Sequence, residues 1–162
     1  MKKEVKIMTE ENFRPYGTFI SWEKIDVKND PVNFYKEDSI VSKLSTDLCA
    51  VTLQGVSPRD FVVDRSEYHL NTEEIYGGFE EDVVMHIGSP SESPKAADIE
   101  LFLLPANCYC RIKRGVWHMA PFALGQNRIH GIVILPPYTY THDCFVKPLD
   151  EPITFDPAEI KK

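Results

Sequence analysis

Nowhere does this chain string together the roughly eighteen apolar residues that would cross a bilayer. The opening Met1-Lys2-Lys3-Glu4-Val5-Lys6 is positively charged but has no apolar stretch behind it, so it does not read as a secretory signal. A soluble, cytoplasmic protein with no membrane partner is expected. Positive charge is also scarce: 18 Lys and Arg against 25 Asp and Glu leave a net charge of -7. Those cations are scattered, so no basic patch exists to track a phosphate backbone, and nucleic acid is excluded as a partner. Only four cysteines occur, Cys49, Cys108, Cys110 and Cys144. Without a signal segment they read as reduced thiols, and Cys108-x-Cys110 lacks the two-residue spacer of redox and zinc pairs.

Helix signals are few. Thr9 can cap a single turn whose first residues, Glu10 and Glu11, suit a helix start, before Pro15 and Gly17 end it. What fills the chain instead is short apolar or β-branched runs: Cys49 to Val56, Asp60 to Val63, Asp82 to Ile87, Ile99 to Leu104, Cys108 to Ile112, Val116 to Met119, Ile129 to Leu135 and Phe145 to Leu149. Pro, Gly and Ser punctuate them, as at Ser89-Pro90, Pro105-Ala106-Asn107 and Pro136-Pro137. Strands repeating about every ten residues mean an all-β sandwich or barrel. With 162 residues the chain suits one core, and residues 1–162 read as a single domain. The proline-rich, charged stretch 150–162 reads as an extended or mobile tail. Tyr76-Gly77-Gly78-Phe79 reads as a flexible turn, and Tyr138-Thr139-Tyr140-Thr141 as an amphipathic strand or loop suited to a dimer contact.

Two stretches carry chemistry. In Glu67-Tyr68-His69 the two polar residues share one face of a strand, because side chains alternate with period two. Glu73 and Glu74 follow at once, and as strand neighbours only one of them faces inward. Some fifty residues on comes Gly115-Val116-Trp117-His118. If a returning strand lays His118 beside His69, two imidazoles and two carboxylates converge, which is the donor set of a metal centre or of an acid-base pocket.

The pattern Glu-x-His-x3-Glu to Glu73, or Glu-x-His-x4-Glu to Glu74, then Gly-x-x-His, resembles the two motifs of the cupin superfamily, with Glu67 standing where the first cupin His would be. Within cupins the chain looks most like the ureidoglycolate lyase family. The resemblance is carried by Phe13-Arg14-Pro15-Tyr16-Gly17, Glu67-Tyr68-His69, Asp82-Val83-Val84-Met85-His86-Ile87 and Gly115-Val116-Trp117-His118. It departs from the family form at Met119, which precedes Ala120-Pro121, and at Glu74, where a Gln is expected. The resemblance implies a single cupin-type double-stranded β-helix barrel (jelly roll) with little helix, in a homodimer. It also implies a lyase that cleaves a C–N bond of ureidoglycolate to give glyoxylate and urea in purine catabolism.

On that reading His69, His118, Glu67 and Glu74 are the catalytic residues and the ligands of one divalent metal ion (Zn, Mn, Fe or Ni), with no organic cofactor. The partner is a small polar metabolite. Arg111 and Arg114 either clamp its carboxylate or pair with surface acids. Trp117 is either a pocket wall or a core anchor, and Tyr76 is a further substrate contact. His86 points away from Val83, Met85 and Ile87, while His130 and His142 read as structural. Two rivals use the same site: a metal-dependent isomerase or epimerase of a sugar or sugar acid, and a cupin that binds a small molecule without turnover.

Overall fold

The computed structural model describes residues 1–21 and 40–160. Its strands are β1 (Val5–Ile7), β2 (Gly17–Ile20), β3 (Ala50–Val56), β4 (Val62–Tyr68), β5 (Glu74–Gly77), β6 (Val83–Gly88), β7 (Ile99–Leu104), β8 (Tyr109–Ile112), β9 (Phe122–Ala123), β10 (Ile129–Leu135) and β11 (Phe145–Thr154). Two one-turn helices, α1 (Glu10–Phe13) and α2 (Thr139–His142), complete the set with two 3-10 turns at Ala96–Asp98 and Pro157–Glu159. The strands form a five-stranded sheet in the order β2-β8-β5-β10-β3, a four-stranded sheet β1-β7-β6-β9 and a β11-β4 pair. All named pairings are antiparallel except β1 with β7. The class is all-β, and among the described residues no sheet closes on itself.

The four-stranded sheet sits between two cores. Along β6, Val83, Met85 and Ile87 point with Phe102 and Leu104 of β7 into the core shared with Tyr76, Cys110 and Val133 of the five-stranded sheet. Val84 points the other way, with Leu101 and Leu103, toward Val63, Leu149, Ile153 and Phe155 on the β4–β11 side. Both faces are apolar, so all six residues of β6 are buried and the strand reads as a continuous hydrophobic run rather than an alternating one.

Helix α1 forms as its sequence predicts. Thr9 Oγ1 accepts from Asn12 N at 3.2 Å while Asn12 Oδ1 accepts from Thr9 N at 2.8 Å, a reciprocal cap for one turn. Three other segments differ from the sequence reading. Tyr76 and Gly77 are not a flexible turn but the end of β5. Gly77, at φ 145°, is needed there because a Cβ would stand 2.2 Å from the Cys108 carbonyl oxygen. Residues 150–154 are the end of β11 rather than a mobile tail, because Ile153 and Phe155, hidden among prolines and charges, fill the second core. Tyr138-Thr139-Tyr140-Thr141 bends into α2 instead of a strand, with Tyr138 in the left-handed region at φ 65°. Among the described residues no helix is long and apolar enough to cross a membrane.

Candidate metal centre

Residues 117 and 118 make a two-residue rung between β4 and β6. Trp117 exchanges backbone hydrogen bonds with Gly88 at 2.8 and 2.9 Å, and His118 exchanges them with Glu67 at 2.7 and 2.8 Å. Successive side chains must alternate, so Trp117 enters the second core and His118 points the opposite way. An antiparallel pair that exchanges both hydrogen bonds places its side chains on one face, which puts Glu67 beside His118. His69, two residues beyond Glu67, joins them, and Glu74 at the start of β5 points into the same space. One ligand atom each from Glu67, His69 and His118 lies within 4.8 Å of the others, a group able to hold a metal ion.

Both imidazoles have fixed tautomers. His69 Nδ1 donates to the Asp143 carbonyl at 2.6 Å, and His118 Nδ1 donates to the Val116 carbonyl at 2.9 Å. Each neutral ring therefore carries its proton on Nδ1 and a lone pair on Nε2. Yet His69 Nε2 lies 2.9 Å and His118 Nε2 3.3 Å from a single atom, Glu74 Oε2. Lone pairs facing a carboxylate repel, so positive charge belongs between them, as protons on the rings or as a cation. A backbone carbonyl on the far nitrogen is also how metal-binding histidines are oriented.

The electrostatics agree with a site built for positive charge. Burial alone would raise the Glu74 carboxyl, but His118 and His69 outweigh it and hold its pKa at about 2. Burial would lower His118, yet the charge and hydrogen bond of Glu74, helped by Glu67, carry it above the usual imidazole value. Two more groups face this cluster. The Cys144 thiol donates to Glu67 Oε2 at 3.2 Å, and burial with that carboxylate pushes it up to about 12. The Tyr140 ring stands 6.4 Å from His69; burial, then Glu74 and Glu67, raise its phenol.

Sequence reasoning missed the α2 segment that supplies Tyr140, Asp143 and Cys144. Asp143 ties it down: its carboxylate accepts from Leu70 N at 2.9 Å, Asn71 N at 2.9 Å and Asn71 Nδ2 at 3.1 Å. The signal available was the run His142-Asp143-Cys144, three ligand-type residues in a row. Behind His118, the buried Ser66 hydroxyl donates to the His118 carbonyl at 3.0 Å and accepts from His86 Nε2 at 2.9 Å. His86 Nδ1 has no hydrogen-bond partner, and burial first, then the positive charges of His118 and Arg59, lower its pKa to about 3.

Of the four expected substrate contacts, three, Arg111, Arg114 and Trp117, lie away from the centre. Arg111 lies on the outer face of β8, its Nη1 3.1 Å from both Glu73 oxygens and its Nη2 2.7 Å from Thr18 Oγ1. Arg114 is exposed. Trp117, 1% exposed, bonds Ser91 Oγ at 2.9 Å and packs edge-on to Tyr68 in the second core. Tyr76 does share the inward face of β5 with Glu74, and its buried hydroxyl has no partner; burial, then Glu74, raise it well above the usual phenol value. Glu73, whose oxygens also accept from Lys43 N, is the outward member of its pair. His130 is exposed with Nδ1 3.5 Å from Glu80, and His142 is exposed. No family model and no curated protein matches the chain.

Proposed function

We propose that this protein is a cupin-like, metal-dependent lyase that cleaves the C–N bond of ureidoglycolate or a closely related small α-hydroxy acid, giving urea and glyoxylate. The observation that carries the reading is the convergence of two Nε2 atoms, on rings each oriented by a backbone carbonyl on Nδ1, on the Glu74 carboxylate. Two imidazoles with carboxylate oxygens suit a borderline divalent ion. His69, His118, Glu74 and Glu67 would hold it. When bound, such an ion supplies Lewis acidity toward an adjacent hydroxyl and carboxylate.

The chain's own groups provide the proton transfers. Ureidoglycolate bears a hydroxyl, a carboxylate and a ureido nitrogen on one carbon. An oxygen of the half-buried Glu67 takes the hydroxyl proton, and the O–H electrons become the second bond of the new carbonyl. The C–N pair leaves with nitrogen, which takes a proton from the Tyr140 phenol; water then returns the proton from Glu67 to Tyr140. Glu74, held anionic, is a poor base and serves as the fixed charge between the two rings. The buried Tyr76 hydroxyl is the donor on hand for a substrate oxygen.

Purified protein, with and without added divalent metals, is to be incubated with ureidoglycolate and with sugar acids while urea and glyoxylate are followed. Metal-stimulated urea release that disappears in His69→Ala and His118→Ala supports the lyase. Turnover of a sugar acid alone transfers the same site to an isomerase.

A further inference from the structure

A second cavity, of about 540 Å3, opens beside the start of β4, and none of the metal-centre residues lines it. Its volume suits a ligand of metabolite size. His86 lines it from the side of β6 that carries Val84, although the residue is only 2% exposed. The Ser66 hydroxyl has one proton, which goes to the His118 carbonyl, so at 2.9 Å it must accept from His86 Nε2–H. The proton of the neutral ring is thus on Nε2, and Nδ1 carries a lone pair with no partner among the described residues. A buried acceptor of this kind calls for a donor.

Arg59 stands at the exposed rim of the same cavity. Its guanidinium carbon lies 4.0 Å over the Phe122 ring and Nη2 donates to the Ala120 carbonyl at 2.8 Å, which fixes the plane of the fork and leaves it donors to spare. Among the described residues no carboxylate forms an ion pair with it: Asp64 is engaged by Arg65 at 3.0 and 3.2 Å, and Asp60 is exposed at the rim. Val63, Met119 and Phe122 make part of the wall apolar. Burial, then the charges of His118 and Arg59, keep the His86 ring neutral. A cationic donor would meet the same repulsion, so the partner that suits Nδ1 is a neutral hydroxyl.

We propose that this cavity binds a small monocarboxylic acid with an apolar body and a hydroxyl remote from the carboxylate. Arg59 takes the carboxylate in its fork, the hydroxyl donates to His86 Nδ1, and Val63 and Phe122 cover the carbon chain. The site is separate from the metal centre and stands whether or not that centre holds an ion.

Full-length protein is to be titrated with para-hydroxyphenylacetate and ω-hydroxyhexanoate, and with phenylacetate and hexanoate as parents that lack the hydroxyl. Each hydroxylated acid is expected to bind about fivefold more tightly than its parent, a difference that His86→Phe removes. Arg59→Gln weakens all four by about tenfold. NMR of isotope-labelled histidine nitrogens in the wild type reads the contact directly, because His86 stands apart from His69 and His118 as the ring protonated at Nε2 alone. Its Nδ1 resonance should move upfield with the hydroxylated acids and stay in place with the parents, a reading that needs no variant to fold. An Nδ1 unmoved at millimolar concentrations of both acids, or affinities equal with and without the hydroxyl, overturns the proposal, as does binding that Arg59→Gln leaves undiminished.

Discussion

Glu67 and His118 exchange both of their backbone hydrogen bonds, at 2.7 and 2.8 Å, across a single antiparallel rung. That one rung brings residues fifty-one positions apart onto a common face and completes the donor group with His69. A ligand that binds only the folded chain stabilises it by mass action, about 2.7 kcal/mol at a hundredfold excess over Kd. Chelator-treated protein should therefore melt higher with added Zn2+, and His118→Ala or His69→Ala should abolish the rise. Thermal or urea unfolding with and without metal measures it; an undiminished rise in either variant would strike that residue from the ligand set.

The same groups set the pH response of the metal-free protein. Glu74 is depressed from 4.5 to about 2, so its contribution is complete above pH 4.5 and fades as pH falls toward 2. His86 is depressed from 6.5 to about 3. Below pH 6.5 the unfolded chain binds a proton that the folded ring refuses, which costs about 2 kcal/mol by pH 5. His118 is raised above 6.5, so its contribution is complete below that value and fades as pH rises through its folded pKa. Together the three place a stability maximum near pH 6.5. Urea midpoints at pH 5, 6.5 and 8 test this, and His86→Gln should flatten the slope between 6.5 and 5. A wild type equally stable at 5 and 6.5 would contradict the buried neutral imidazole.

The all-β class and the capped turn at Thr9 were readable because period-two alternation and cap chemistry are local properties of the chain. So was the shared face of Glu67 and His69. The partnership of His118 with Glu67 depends on a long-range rung, which only a motif-like context hinted at. Arg111 illustrates what stays hidden. Its nearness to the site in sequence says nothing of which face of β8 it takes, and Cys110 and Ile112, by filling the core, force the guanidinium outward onto Glu73. Tyr140 lies in, and Cys144 just after, a one-turn helix with no amphipathic repeat to reveal it, held by Asp143 rather than by propensity.

Trp117 separates packing from chemistry. Its indole fills the second core beside Tyr68, at a ring distance of 4.6 Å, on the face of its rung opposite His118. Trp117→Ala should cost about 3–5 kcal/mol of stability, as large-to-small core changes do. The cobalt affinity and KM of the folded fraction should stay as in wild type. Urea unfolding beside a metal titration decides; a changed KM with little loss of stability would return Trp117 to the pocket wall.

Tyr76 offers the opposite signature. Its ring packs edge-on against Phe79 at 5.2 Å, but its hydroxyl is buried with no hydrogen-bond partner, and a buried unsatisfied polar group costs about 1–3 kcal/mol. Tyr76→Phe keeps the ring and deletes that cost, so ligand-free protein should be as stable as wild type or more stable by about 1 kcal/mol. If the hydroxyl serves a substrate oxygen, the variant loses a hydrogen bond of about 1 kcal/mol, and KM rises roughly fivefold with kcat less affected. The two changes have opposite signs, which no purely structural role for the hydroxyl would produce. Unfolding measurements on ligand-free protein read the first, and initial rates across substrate concentration read the second. A variant less stable than wild type would mean that the hydroxyl has a partner within the fold, and the stability arm of the prediction would be lost.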